Sequence, residues 1–112
     1  MTKKFEAHEL ALEAITLVRP IIEKTARHDS DLAKQMRRAA TSASSNLAEG
    51  NRRRGGDRNH LFTVALGSAD ELKTQLRIVR AWAYVPDSQL DPAIEIVDRV
   101  CAITHRLLHP RT

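Results

Sequence analysis

Hydrophobic residues recur in four stretches of the chain at three- and four-residue intervals, the spacing of one face of an α-helix. The pattern predicts helices over residues 5–27, 31–49, 57–84 and 92–108. Most of the glycines and prolines fall between these stretches or at their ends. No stretch alternates with the two-residue period of a β-strand, and none repeats another, so we expect an all-α protein.

Capping residues set the expected helix ends. Asp29 or Ser30 precedes the second helix and can accept a hydrogen bond from its first turn. Gly50 is expected to stop that helix, because glycine readily takes the left-handed conformation that follows a helix. Asp91 before Pro92 is typical of an N-cap and a first helical residue, so the fourth helix is expected to begin there.

The third helix has the most regular pattern. Its apolar residues follow alternating steps of three and four over three heptads: Phe62, Ala65, Ala69, Leu72, Leu76, Val79 and Ala83. A second row beside it repeats every seven residues: Leu61, Ser68, Gln75 and Trp82. A helix with two such rows often packs against two partners.

Short segments between the predicted helices place neighbouring helices antiparallel. Aromatic residues make up only 4% of the chain, so the core must be built mainly from Ala, Leu, Ile and Val. Small residues in AATSASSNLA (39–48) let a neighbouring helix approach closely. We therefore predict one domain over residues 1–112, an antiparallel up-down four-helix bundle.

Two segments resemble the signature blocks of a bacterial four-helix-bundle family: QMRRAATSASSNLAEG at 35–50 and ALGSADELKTQL at 65–76. That family includes proteins encoded within intervening sequences of large-subunit ribosomal RNA genes, and the accessory variability determinant of diversity-generating retroelements looks like a relative. The matching residues are Gln35, Arg37, Arg38, Ala39, Ser42, Asn46, Ala48, Glu49 and Gly50, then Ala65, Gly67, Ser68, Glu71, Leu72, Gln75 and Leu76. The family's Ile-Pro pair is Ala43-Ser44 here, and its Phe-Pro turn is replaced by ARHDSD.

The resemblance implies an up-down bundle that assembles as a ring-shaped homopentamer. It also implies a basic ring surface, through which retroelement members bind nucleic acid and a reverse transcriptase. Membership of a family predicts the fold more reliably than the function. We expect a structural role for the motif residues Asn46, Glu49, Gly50, Gly67, Ser68, Glu71 and Gln75.

Surplus apolar residues support self-association independently of the resemblance. The third and fourth helices carry more of them than one stripe needs: Ile78, Trp82, Ile94, Ile96, Ile103 and Leu107. Soluble proteins usually avoid large exposed apolar patches, and a ring-closing interface between copies would cover this one. The alternative is that these residues simply belong to the core.

The segment NRRRGGDRNH (51–60) is the strongest candidate binding site. Arg52, Arg53, Arg54 and Arg58 against Asp57 give it a formal charge of +3. Arginine donates two parallel hydrogen bonds to phosphate, and the start of the third helix adds partial positive charge. No aromatic residue interleaves, so binding would read backbone charge rather than sequence. The alternative is a solvated turn.

Neighbouring charges leave further alternatives open. Arg37 and Arg38 either extend this basic patch or pair with Glu49 and other acids. Glu49 is expected to hold the turn by pairing with Arg38 or with an arginine of 52–54. A catalytic role for Glu49 would need a partner such as His60, and we expect the structural role instead.

Composition narrows the class further. The net charge of +4 modestly favours an anionic partner. The single cysteine, Cys101, excludes an internal disulfide and is expected to be a buried small hydrophobe. Glu6, Glu9 and Glu13 interrupt any signal-peptide apolar region, and no run is long enough to span a membrane, so we expect a cytoplasmic protein.

No arrangement typical of an enzyme is present. The sequence has no Gly-rich nucleotide loop, no Cys/His cluster and no set of residues spaced for nucleophilic catalysis. His105 and His109 stand four apart, but no third ligand is suitably placed, so we predict no metal and no cofactor.

The sequence therefore predicts a non-catalytic, ring-forming bundle whose arginine-rich rim binds RNA or DNA without strong sequence preference. The alternative function is a protein-interaction scaffold that docks an acidic partner protein. A metal-dependent enzyme using the two C-terminal histidines is a third hypothesis.

Overall fold

The computed structural model describes residues 5–110. Four helices make up almost all of this range: α1 (Glu6–Ala26), α2 (Ser30–Asn51), α3 (Gly55–Trp82) and α4 (Asp87–Leu108). Connections of three or four residues join them, and no strand occurs among the described residues. None of the helices in this range has the length and apolar character needed to cross a membrane.

Each helix packs against its neighbours in sequence, and α4 closes against α1. One hydrogen bond marks each contact: His8 to Ser44 for α1/α2, Ser42 to Ser68 for α2/α3, Lys73 to Asp98 for α3/α4 and Lys24 to Gln89 for α1/α4. Because each connection is only three or four residues long, the chain reverses direction from each helix to the next. The protein is therefore an antiparallel up-down four-helix bundle, as predicted, about 43 Å long.

The core consists of the residues that the helical spacing selects. On α2 all five predicted core residues are buried: Leu32, Met36, Ala39, Ala43 and Leu47. On α3 every member of the first row is buried except Ala83, which lies beyond the helix end. Asp29 caps α2 as predicted, because its carboxylate accepts a hydrogen bond of 3.0 Å from the Leu32 amide.

Gly50 does not stop α2, as the sequence suggested, but lies inside the helix, which continues to Asn51. A Cβ atom at this position would stand 2.7 Å from the Phe62 ring on α3 and 3.3 Å from the Leu61 Cβ. Glycine is therefore needed for close approach of two helices rather than for a left-handed turn.

The third helix ends two residues earlier than predicted, at Trp82. Ala83 takes the left-handed conformation (φ 58°, ψ 33°), and the Tyr84 amide donates a hydrogen bond to the Val79 carbonyl. Together they form a common type of helix C-cap. The chain therefore turns at an alanine, where the sequence has no glycine to mark the end.

The fourth helix begins at Asp87, five residues before the Asp91-Pro92 start that the sequence suggested. Leu90 is fully buried, and Arg80 of α3 pairs with both Asp87 and Asp91. These contacts hold the extra turn in place. Pro92 is tolerated inside the helix because the carbonyl that loses its partner belongs to the exposed Ser88.

The surplus of apolar surface is smaller than the sequence suggested. Ile96 belongs to the core, and Ile94, Ile103 and Leu107 are partly buried against it. Ile78 remains 38% exposed and Trp82 65% exposed. Two leucines of α1 are also exposed, at positions 12 and 17.

Candidate nucleic-acid interface

The arginine turn, residues 52–58, lies at one end of the bundle between α2 and α3. Arg52, Arg53 and Arg54 are all exposed. Gly55 has a positive φ of 59°, and neither it nor Gly56 has any atom within 4 Å of a Cβ position. The turn is therefore open to solvent, and the first amides of α3 are accessible from outside.

One of the three consecutive arginines is paired. The Arg53 guanidinium donates two hydrogen bonds to the Glu49 carboxylate, at 2.7 and 3.1 Å. Of the partners that the sequence allows for Glu49, the structure has Arg53 rather than Arg38. Arg52 and Arg54 form no ion pair within residues 5–110. Their guanidinium groups remain available to an anion.

Arg58 is held over the face of Phe62, with its guanidinium carbon 4.9 Å from the ring centroid. Phe62 is fully buried and stacks on Phe5 at 5.9 Å. A guanidinium lying on an aromatic ring keeps the donors on its edge free for hydrogen bonds. Arg58 is therefore positioned by the ring and forms no ion pair within residues 5–110.

Arg37 and Arg38 do not extend the arginine turn. Fifteen helical residues separate Arg37 from Arg52, a distance of roughly 22 Å along α2. Both side chains are exposed, and neither forms an ion pair within the described part of the chain. With Lys34 they border a depression of about 490 Å³ on the outer side of α2. The candidate cations therefore form two separate groups.

Lys34 was not among the residues that sequence reasoning selected. The signal was present, because residues 32–48 contain three basic residues and no acidic one. The arginine triplet gives a stronger signal because its charges are consecutive in sequence.

The motif residues lie along the contact between α2 and α3, which we call the α2/α3 seam. Ser42 and Ser68 share a hydrogen bond of 2.7 Å across it, and the Asn46 amide donates to the Ser42 carbonyl at 2.8 Å. The Gln75 amide donates to Glu71 at 3.2 Å. The Ser42–Ser68 hydrogen bond joins the two helices, whereas the Asn46 bond lies within α2 and the Gln75 bond within α3.

Contacts within one protomer do not account fully for the residue types at positions 75 and 67. The Gln75 side chain is only 4% exposed, yet its carbonyl oxygen has no hydrogen-bond partner among the described residues. Gly67 has open space on its side-chain face, so packing within the protomer does not require a glycine there.

An aromatic stack at the opposite end of the bundle was not predicted from the sequence. The Tyr84 ring lies 4.8 Å from His28 at an interplanar angle of 2°, and 6.2 Å from Trp82 at 12°. Trp82 is the outermost ring. The seven-residue row on α3 includes Trp82. The turn at Ala83, which brings Tyr84 back over His28, cannot be predicted from the spacing of apolar residues.

The remaining candidates lie apart from both cation groups or lack partners. The His105 and His109 rings have their centroids 4.6 Å apart at an interplanar angle of 46°, but within residues 5–110 no three His, Cys, Asp or Glu side chains are close enough to hold a metal ion. His60 is exposed near the arginine turn. Burial, aided by a hydrogen bond with Asp70, raises the pKa of the Cys101 thiol to about 12, which makes it unreactive at neutral pH.

The helix order and the polar α2/α3 seam place this protein in one structural class. Its members are antiparallel four-helix bundles whose sequence motif is shared between the second and third helices. The chain belongs to the 23S rRNA-intervening sequence protein family, whose sequence pattern matches residues 4–106. No curated protein sequence matches it. A similar crystal structure is that of a protein of unknown function from the S23 ribosomal protein family of Bacteroides thetaiotaomicron. The two chains share 18% identity with a TM-score of 0.80, over 92% of this chain and 98% of the other, a likeness of fold.

Proposed function

We propose that this protein is a non-catalytic bundle that assembles into a ring and binds RNA or DNA, without strong sequence preference, through its arginine turn. The observation that carries the proposal is the exposed state of Arg52 and Arg54, which have no ion pair in the described range. Unpaired guanidinium groups at an open turn are suited to phosphate oxygens.

The lack of a Phe, Tyr or Trp residue within the arginine turn supports weak sequence preference, because the turn offers no such ring for a base to stack on. The aromatic ring that contacts Arg58, that of Phe62, is fully buried. Contacts would therefore be made to the phosphate backbone, which positions a protein without reading the bases.

Assembly would strengthen such weak contacts. The groove between α3 and α4 has a volume of about 730 Å³ and exposes Ile78 and Ile94 between charged side chains. A second copy seated there would remove apolar surface from water. In a pentamer the arginine turns would gather on one rim, with a total formal charge of +20 from five copies at +4, and several weak phosphate contacts would act together.

Charge reversal at the unpaired arginines tests the binding proposal. The double variant Arg52→Glu/Arg54→Glu should lose retardation of nucleic acid at low salt, whereas Arg19→Glu/Arg99→Glu should retain most of it. Both double variants lower the formal net charge from +4 to 0, and Arg19 and Arg99 are exposed on α1 and α4. The comparison therefore separates the effect of where the charges are reversed from the effect of the net charge of the protein.

Salt dependence gives a second measurement. Three phosphate contacts per protomer, from Arg52, Arg54 and Arg58, predict a slope of about −2 to −3 for the logarithm of the binding constant against that of salt concentration. A wild-type protein that shows no salt-sensitive retardation would rule out nucleic-acid binding. A protein partner that survives nuclease treatment of the lysate and depends on Arg52 and Arg54 would then favour the acidic-partner scaffold.

A further inference from the structure

The aromatic stack offers a surface that the arginine turn lacks. Its rings are nearly parallel, and the outermost, Trp82, is 65% exposed. Tyr84 and His28 support it from behind, so the indole is held by its neighbours rather than projecting alone. A supported and exposed aromatic face is what a base needs for stacking.

The stack lies on the same side of the bundle as the α2/α3 seam. Trp82 continues the row of Ser68 and Gln75, and Ser68 is hydrogen-bonded to α2. Two turns of α3 separate Gln75 from Trp82. A surface path therefore leads from the arginine turn along the seam to the stack.

Cations and hydroxyl groups border this path. A depression of about 170 Å³ between α2 and α3 is lined by Arg38, Ser42, Ser68 and Glu71, together with Gln35 and Ala39. Arg38 and Ser42 also border the larger depression that contains Lys34 and Arg37. The two depressions therefore adjoin each other at Arg38 and Ser42, beside the second cation group.

Two carboxylates also lie on the path, and both accept hydrogen bonds from side-chain amides. Asp31 accepts from Gln35 at 2.9 Å, and Glu71 accepts from Gln75. The exposed cations Lys34, Arg37 and Arg38 outnumber them. The part of the α2 surface nearest the stack, residues 31–42, therefore keeps a net positive charge.

We propose that the α2/α3 side binds a single strand of nucleic acid, with phosphates on Lys34, Arg37 and Arg38 and a base stacked on Trp82. Sequence-tolerant single-strand binding combines a cationic surface that follows the backbone with aromatic rings that stack bases. A duplex keeps its bases paired inside and offers none to Trp82. The inference rests on the proposed function and adds to it the form of the nucleic acid and the position of one base.

The length of the path sets the length of the probe. From Gly55 to Trp82, α3 spans roughly 40 Å. A stacked strand advances about 3.4 Å per nucleotide, so about 12 nucleotides cover the whole path. A mixed-sequence single-stranded 12-mer is the appropriate probe, and a blunt duplex of the same length is its control.

Affinity for the 12-mer tests the role of the ring. Trp82→Ala and Trp82→Leu should weaken binding about 5- to 100-fold, whereas Trp82→Phe should remain within about threefold of wild type, because only the aromatic face is required. The substitutions are safe for folding, since the side chain is mostly exposed. Leucine provides the matched control for apolar area without an aromatic face.

Fluorescence gives a direct readout, because Trp82 is the single tryptophan of the chain. The 12-mer should quench its emission, and an abasic 12-mer with the same phosphates should bind more weakly without quenching. The duplex should also leave the emission unchanged.

Distinct failures have distinct meanings. Salt-sensitive binding of the 12-mer with unquenched emission, or unchanged affinity in Trp82→Ala, would overturn this inference and leave the proposed function standing. Equal quenching by the duplex would overturn it as well. A blue-shifted emission shielded from acrylamide in the protein alone would show that a second copy covers Trp82. Failure of the wild type to bind any nucleic acid would remove both proposals.

Discussion

Gly50 and Gly67 stand in helices of the same bundle under opposite steric conditions. At Gly50 a methyl group would meet the buried Phe62 ring at 2.7 Å, and at Gly67 it would meet nothing within 4 Å. The Phe62 ring cannot move away easily, because it stacks on Phe5 and lies beneath Arg58. The two glycines therefore differ in what they contribute to stability.

Substitution by alanine should have opposite effects at these positions. Gly50→Ala should lower the free energy of unfolding by about 1–3 kcal/mol through overpacking. Gly67→Ala should raise it by about 0.5–1 kcal/mol, because alanine has the higher helix propensity. Urea unfolding of both variants measures the difference. Equal effects of the same sign would show that the contact with Phe62 does not govern Gly50.

The sequence located the cations and predicted that Glu49 pairs with Arg38 or with an arginine of 52–54, but it did not single out Arg53. Arg52, Arg53 and Arg54 are adjacent in sequence, yet only Arg53 meets Glu49. That choice follows from helical spacing, since positions four apart face each other near the end of α2. Arg58 and Phe62 are also four residues apart. Many cation and aromatic residues have this spacing in sequences without making contact, so the spacing alone does not predict that the guanidinium lies over the ring.

At the scale of whole helices, periodicity predicted the number and order of elements, and tertiary contacts decided several ends. The Asp91-Pro92 signal for the start of α4 was outweighed by burial of Leu90 and by the ion pairs of Arg80. A local capping pattern contributes about 1 kcal/mol. Burial of one leucine contributes about 1.5–3 kcal/mol, so the longer helix prevails.

The end of α3 provides a prediction at this scale. Ala83 occupies a left-handed conformation that costs an alanine roughly 1–2 kcal/mol. Ala83→Gly should therefore raise the free energy of unfolding by about 0.5–1 kcal/mol, after allowance for the greater flexibility of glycine when unfolded. Ala81→Gly, in the last turn of the same helix, should lower it by about as much. A higher thermal midpoint for Ala81→Gly than for Ala83→Gly would contradict this reading of the helix end.

At the scale of the molecule, the sequence predicted the bundle because every helix has an apolar face of the right period. It overestimated the apolar surface left over, since Ile96 lies in the core and Ile94, Ile103 and Leu107 are partly covered. Helical spacing sets which side of a helix faces inward, but the width of the buried sector depends on how neighbouring helices approach. The aromatic stack could not be predicted from helical spacing for a related reason. The turn at Ala83 brings Tyr84 against His28, and this turn lies outside the helices.

Self-association can be measured directly. The protein at micromolar concentration should scatter light as an assembly, with about 63 kDa expected for five copies of 12.6 kDa. Ile78→Glu should shift the mass towards one subunit, because the charge enters the groove between α3 and α4. Val64→Glu, at a similarly exposed valine outside that groove, provides the control. A stable species of one subunit in the wild type would exclude the ring.

The absence of acidic residues between positions 32 and 48 also limits how copies can meet. A twofold dimer places the same patch of both subunits face to face. On α2 that arrangement would set Lys34, Arg37 and Arg38 against their own duplicates, and like charges repel. Mutual repulsion thus disfavours symmetric pairing through the second helix, so a contact made by this face requires a different patch on the other copy.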